Sequence, residues 1–278
     1  MPTYTSFDGT TVHYEEAGTG NEPLVCLPGG PLRSMRYFGD LGGLSAHRRL
    51  LLVELPRRRV DRIVTDIEAL RVHLGHEQLD VLAHSAGASL ALLYAARCPH
   101  CVRAMALITP ALRAMGIQST EQQWHEALER RSNEPWFPHA RAALASWENG
   151  DHSPQNRADV SPFFYGRWDD VSRAHAAAEP EQTSGDGASI YYAEGALDVA
   201  STREALAFLA VPIFILVGEL DLQPTLHEAQ ELASLLPQAR ISVQDRAGHY
   251  PWLDDAETFV DAVAAFFGES DSEPTPAG

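Results

Sequence analysis

Ser85 lies in Leu79-Asp80-Val81-Leu82-Ala83-His84-Ser85-Ala86-Gly87-Ala88, an apolar run, then a serine among small residues, then a helix-prone stretch. A serine at such a strand-to-helix turn is lifted above the sheet on a strained backbone. Small residues two positions to either side let strand and helix approach. Ala83 stands where glycine is usual, and its single methyl fits the same packing. The helix that follows points its N-terminus at the hydroxyl, where the dipole favours developing negative charge. Unaided, a serine hydroxyl is a weak nucleophile, so it needs a base and a group to orient that base. His249, in Ala247-Gly248-His249-Tyr250-Pro251-Trp252, and Asp221, in Gly218-Glu219-Leu220-Asp221, supply these types in the order Ser, acid, His. Glu219 is the substitute acid. Attack on a carbonyl through an acyl-enzyme is the chemistry this set would do, and its rate should fall as His249 takes a proton.

An oxyanion needs two donors. The backbone N–H of Ala86, directly after the serine, is one. Paired glycines in Leu27-Pro28-Gly29-Gly30-Pro31 let a second backbone N–H turn inward, and Gly30 is the expected donor.

The elements that must position these groups follow from apolar patterning. Asp8-Gly9 joins two short β-like segments as a hairpin. Runs at Leu24 to Leu27, Leu50 to Val53, Leu79 to Ala83 and Ala104 to Ile108 are apolar throughout, as strands buried on both faces require. Between them, Ile63, Ile67, Leu70 and Leu74 mark one face of a helix over 60–74, and 89–97 is a second. The rhythm stops near Pro110 and resumes at Val211 to Val217, with a helix, a strand and a final helix (Thr258 to Phe267) after it. The fold class predicted is α/β, a doubly wound, mostly parallel sheet with an inserted helical cap. Residues 1–110 and 210–268 form the core, 111–209 the cap, and 269–278 a disordered acidic, Pro-rich tail. An insertion at that edge of the sheet overhangs the ligand site. Among its many aromatics, Phe163, Phe164, Tyr165 and Trp168 are expected to line the substrate pocket.

Composition excludes several classes. The chain has 278 residues, 45% of them hydrophobic, enough for a core without disulfides or metals. With 21 Lys+Arg against 38 Asp+Glu, the net charge of −17 disfavours nucleic acid and anionic membranes as partners. Arg57-Arg58-Arg59 reads as a solvated turn. No leader-like start and no apolar run of about 18 residues is present, so a cytoplasmic location is expected. Cys98-Pro99-His100-Cys101 has dithiol spacing, but it follows a helix instead of opening one, and no second ligand pair is spaced for zinc. It reads as a loop. No metal or cofactor is expected.

Taken together, the Gly-Gly-Pro loop, the His-Ser-Ala-Gly elbow, Gly-x-x-Asp and Ala-Gly-His-Tyr-Pro-Trp-Leu-Asp-Asp resemble the α/β-hydrolase superfamily over residues 4–267. The loop and the cap are most similar to its proline iminopeptidase-like branch. The resemblance implies Ser85 as nucleophile, His249 as base, Asp221 as acid, and Gly30 with Ala86 as oxyanion hole. It also implies a small-molecule or short-peptide substrate, cleaved as an ester or amide, or at an N-terminal proline. A hydrolase-fold binding protein with little turnover is the third reading. Two departures stand out: where the branch carries His-Gly-Gly-Pro-Gly this chain has Pro28-Gly29-Gly30-Pro31-Leu32, and Glu54-Leu55-Pro56-Arg57-Arg58-Arg59 shortens the next connection. In that branch cap carboxylates hold the substrate ammonium, and Glu134, Glu148, Glu179 and Glu194 are the candidates here.

Overall fold

Strands that are apolar on both faces need cover on both, and the computed structural model supplies it over the described residues, 1–183 and 185–272. One sheet holds β1 (Thr3–Thr5), β2 (Thr11–Ala17), β3 (Pro23–Leu27), β4 (Arg49–Glu54), β5 (Leu79–His84), β6 (Val102–Ile108), β7 (Ile213–Gly218) and β8 (Ala239–Gln244). Its order is β1-β2-β4-β3-β5-β6-β7-β8. The β1–β2 and β2–β4 pairs are antiparallel and the rest parallel. Alternate residues of the inner strands serve opposite cores, as a pleat of period two demands. Val25 and Leu27 of β3 and Ile213, Ile215 and Val217 of β7 face one cluster; Leu24, Cys26, Phe214 and Leu216 face the other.

Helix α1 (Val60–Leu74) buries Ile63, Ile67 and Leu70 in the first cluster, and Gly75, at φ 72°, closes it. Helix α2 (Ala86–Arg97) packs beside it. Between β6 and β7, the described residues contain no strand but carry α3 (Glu121–Glu129), α4 (Phe137–Glu148), α5 (Pro154–Val160), α6 (Asp170–Ala177), α7 (Glu179–Gln182), α8 (Gly185–Tyr191) and α9 (Val199–Leu206). Capping boxes at Thr120/Gln123 and Asp169/Ser172 start two of them. Leu128, Phe137, Ala140, Val160 and Phe163 give this insertion a small core of its own. After β7 come α10 (Leu226–Leu235), α11 (Pro251–Asp254) and α12 (Ala256–Ser272). Phe259, Val263 and Phe267 of α12 cover the second face of the sheet, making it doubly wound. The last helix runs past Phe267 to Ser272, so the expected tail begins in helix. Residues 273–278 lie outside the described residues. No helix among the described residues is long and apolar enough to cross a membrane.

The arginine run is not a solvated turn throughout. Arg57 and Arg59 are exposed, but Arg58 pairs with Asp66, whose side chain is 1% exposed, and also reaches Asp8, Thr10 and Ser6. It ties the hairpin to α1. Breaking a buried pair by deleting one partner strands the other charge, so Arg58→Ala is expected to cost about 3 kcal/mol. Urea unfolding measures this, and a change within about 0.5 kcal/mol, the usual range for a surface residue, would return Arg58 to the solvent.

Candidate active site

The turn between β5 and α2 puts Ser85 at φ 51°, ψ −121°, a conformation non-glycine residues avoid. Surrounding bonds hold it there. The Ser85 N–H donates to the Ile108 carbonyl at 3.0 Å, and its own carbonyl accepts from Ala88 and Ala111 at 2.9 Å each. Small neighbours are required: a β-carbon at Gly87 would meet the Leu27 and Pro28 carbonyls. One at Gly29 would stand 2.6 Å from the Ser85 Cβ. The Gly29-Gly30 loop therefore runs directly against the serine, which is half-buried. Gly30 has φ 58° and Leu32 φ 59°, so the leucine keeps a glycine-like backbone.

His249 and Asp221 are both buried, and His249 Nδ1 lies 2.8 Å from Asp221 Oδ2. The other Asp221 oxygen accepts the Gln223 N–H at 3.0 Å. Glu219, the substitute acid, points elsewhere: its carboxylate accepts the Arg246 N–H at 2.9 Å. The His249 carbonyl accepts from Thr109 Oγ1 at 3.0 Å and faces His84 Nε2 at 2.8 Å, so the loop is stitched to the ends of β5 and β6. Thr109 sits at φ 40°, a second strained residue at the same edge.

His84 belongs to a longer string of polar groups. Its Nε2 faces a carbonyl, which only accepts, so that nitrogen carries the proton. Its Nδ1 then accepts the Tyr37 hydroxyl at 2.7 Å, and the same hydroxyl oxygen receives the Gly29 N–H at 2.8 Å. The Tyr37 carbonyl, in turn, faces His175 Nε2 at 3.2 Å, and His175 Nδ1 accepts from Tyr165 at 2.8 Å. A tyrosine and a histidine of the insertion are thus linked through Tyr37 and His84 to the His249 carbonyl. Arg33, 2% exposed, flanks the string, donating to Gln182 of α7 and to the Tyr250 hydroxyl. Its guanidinium lies 4.6 Å from the Tyr37 ring centroid.

Burial, with the nearby His249 next, pushes His84 well below the ordinary imidazole range. Burial and then Arg33 bring His175 down to about 4. An unfolded chain holds a proton on His175 below about pH 6.5 that the folded chain refuses, so stability is lost as pH falls from about 6.5 to about 4. His175 alone should contribute on the order of 2–3 kcal/mol to that loss. Urea unfolding at pH 7.5 and pH 4.5 should show a smaller drop for His175→Gln than for the native chain; parallel drops would refute a neutral buried ring.

The expected pocket aromatics separate. Phe163 and Phe164 lie in a tight turn (Ser161–Phe164) that Tyr165 closes, so neighbouring side chains diverge. Phe163 packs into the insertion's core against Trp136 and Phe137. Tyr165 stacks on Tyr250 with centroids 5.0 Å apart, and Trp168 packs behind it. Only Phe164 of the four approaches the histidine, with centroids 5.9 Å apart, and its carbonyl accepts the His249 N–H at 2.8 Å. Among the cap carboxylates, Glu179 is bound to Arg157 at 2.6 Å and Glu134 lies 3.6 Å from Arg131. Glu148 and Glu194 are exposed. A cleft of about 440 Å³ between Ile117–Glu121, Trp124 and Leu222–Gln223 borders the Asp221 loop, not Ser85. Sequence reasoning passed over Tyr37, Thr109, His175 and Arg33. Their roles depend on contacts across 140 or more positions in two cases, and no local motif marks them.

A sequence profile of the alpha/beta hydrolase family matches residues 24–262. A proline iminopeptidase of Heyndrickxia coagulans is 22% identical over 277 positions, covering 91% of this chain and 92% of that one. Among solved structures, an esterase from Exiguobacterium antarcticum superposes with TM-score 0.72 at 17% identity, covering 96% and 98% of the two chains. A proline iminopeptidase from Mycobacterium smegmatis superposes with TM-score 0.71 at 20% identity, covering 97% and 98%. Both structural likenesses speak to the fold.

Proposed function

The chain belongs to the alpha/beta hydrolase family, and from that premise we propose that it is a serine hydrolase cleaving an ester or amide of a small molecule or short peptide. The observations that support this reading are the strained Ser85 elbow, whose neighbour His84 bonds the His249 carbonyl, and the buried His249–Asp221 pair 2.8 Å apart. In the proposed cycle, His249 Nε2 takes the Ser85 proton as the oxygen attacks the carbonyl. The Gly30 and Ala86 N–H groups hold the oxyanion; losing one such donor typically costs about 3 kcal/mol in the barrier. His249 returns the proton to the leaving group, then activates water to open the acyl-enzyme. Asp221 keeps the imidazole in the Nδ1–H tautomer throughout. Tyr37, His84 and Thr109 act as positioning residues for the His249 loop.

An aminopeptidase reading is supported by the names of the relatives. Of the four candidate carboxylates, Glu179 and Glu134 are already matched with arginines, which leaves only the exposed Glu148 and Glu194 to hold a substrate ammonium. The ester or amide reading therefore leads. Assaying a short-chain p-nitrophenyl ester beside a proline arylamide separates the two. Ester turnover without arylamide release is expected; comparable kcat/KM on the arylamide would move the assignment to N-terminal peptide cleavage.

A further inference from the structure

Far from Ser85, at the other end of α2, the fold gathers three groups that the sequence keeps apart. Glu68 of α1, Cys98 at the end of α2 and Cys101 on the next turn place a carboxylate oxygen and two sulfurs all within 4.8 Å of one another. A zinc reading of the cysteine pair found no second ligand pair spaced for it in the sequence; the fold brings one further ligand-type group, Glu68, beside it. We propose that Glu68, Cys98 and Cys101 form a binding site for one thiophilic divalent cation of the zinc class.

The geometry suits a tetrahedral ion. Zinc–sulfur bonds of about 2.3 Å set ligand–ligand edges of about 3.8 Å, so atoms at the 4.8 Å limit would close by about 1 Å on binding. Cys101 is buried and Cys98 and Glu68 are half-buried, which leaves a fourth position on the solvent side for water. Charge points the same way. Glu68 and, once deprotonated, the two cysteines would gather three negative groups in one place, which calls for positive charge. Arg71 partly fills that need, holding both Glu68 oxygens at 2.6 and 2.9 Å, while Tyr94 donates to one of them at 2.7 Å. Two thiolates, one carboxylate, Arg71 and a divalent ion sum to zero. The C-terminal end of α2 adds partial negative charge, which disfavours a free thiolate but favours a cation. The binding step balances simply: two S–H bonds are lost, two metal–sulfur bonds form, and two protons leave to solvent. Helix α2 has 12 residues, which puts Ser85 about 18 Å away along its axis. The ion would clip α1 to the α2–β6 turn and take no part in hydrolysis.

The test uses the full chain, reduced and stripped of metal, titrated with zinc sulfate against a chromogenic chelator. One zinc per chain is expected, with close to two protons released near neutral pH and both Cys98 and Cys101 shielded from alkylation. Cys98→Ser should weaken binding about a hundredfold or more, and Glu68→Gln about tenfold. Cys98 is half-exposed, and circular dichroism of the variant separates lost binding from lost fold. No stoichiometric binding by the reduced chain, zinc bound without thiol protection, or unchanged affinity in Glu68→Gln would each overturn the site. So would a Cys98–Cys101 disulfide whose reduction yields no zinc affinity.

Discussion

Ser85→Ala is expected to lose all labelling by a fluorophosphonate and to cut kcat about 10⁵- to 10⁶-fold, with little change in stability. The label needs a nucleophile, a base and an oxyanion site at once, so the native chain should carry it on Ser85 alone, as mass mapping of the modified peptide would show. Relief of the φ 51° backbone does not follow from the substitution, because alanine meets the same steric cost there. The lost hydroxyl is therefore the whole of the effect. Label found at another serine, or turnover retained in Ser85→Ala, would end the serine-hydrolase assignment.

The second large effect concerns the acid. Asp221→Asn keeps the side chain's shape and its bond to the Gln223 N–H, but it can offer His249 Nδ1 an amide donor where a carboxylate stood. The imidazole then turns to the wrong tautomer, and kcat should fall about 10⁴-fold with KM nearly unchanged. Glu219→Gln, by contrast, should stay within about twofold of native, since Glu219 serves the Arg246 turn. Steady-state kinetics on the preferred p-nitrophenyl ester decides between them. A larger loss for Glu219→Gln would transfer the acid's role.

What could be seen in the sequence was whatever a local pattern enforces. The i, i+4, i+7 spacing of Ile63, Ile67 and Leu70 placed α1 at its observed bounds, because one apolar stripe has one way to face a sheet. Chain order and strand ends brought Ser85, Asp221 and His249 to one rim, because parallel strands share their C-terminal edge. The final helix outran its apolar pattern because residues such as the exposed Gly268 and Glu269 need no buried face to continue a helix. Phe163 and Tyr165 were misplaced because composition says that aromatics are packed, but not against what. Arg58 was missed for a related reason: a charged run looks solvated until the fold supplies Asp66. Tyr37, His84 and His175 form their string only in three dimensions, as do Glu68 and the cysteine pair.

That string has a mechanical consequence. Each imidazole in it has one donor side and one acceptor side, so every proton points from Tyr165 toward His249 and none can be reversed alone. Lifting α6 away would strip partners from interior rings at about 1–3 kcal/mol apiece and slacken the carbonyl that anchors the base. The flank carrying α6 is thus a fixed wall of the site.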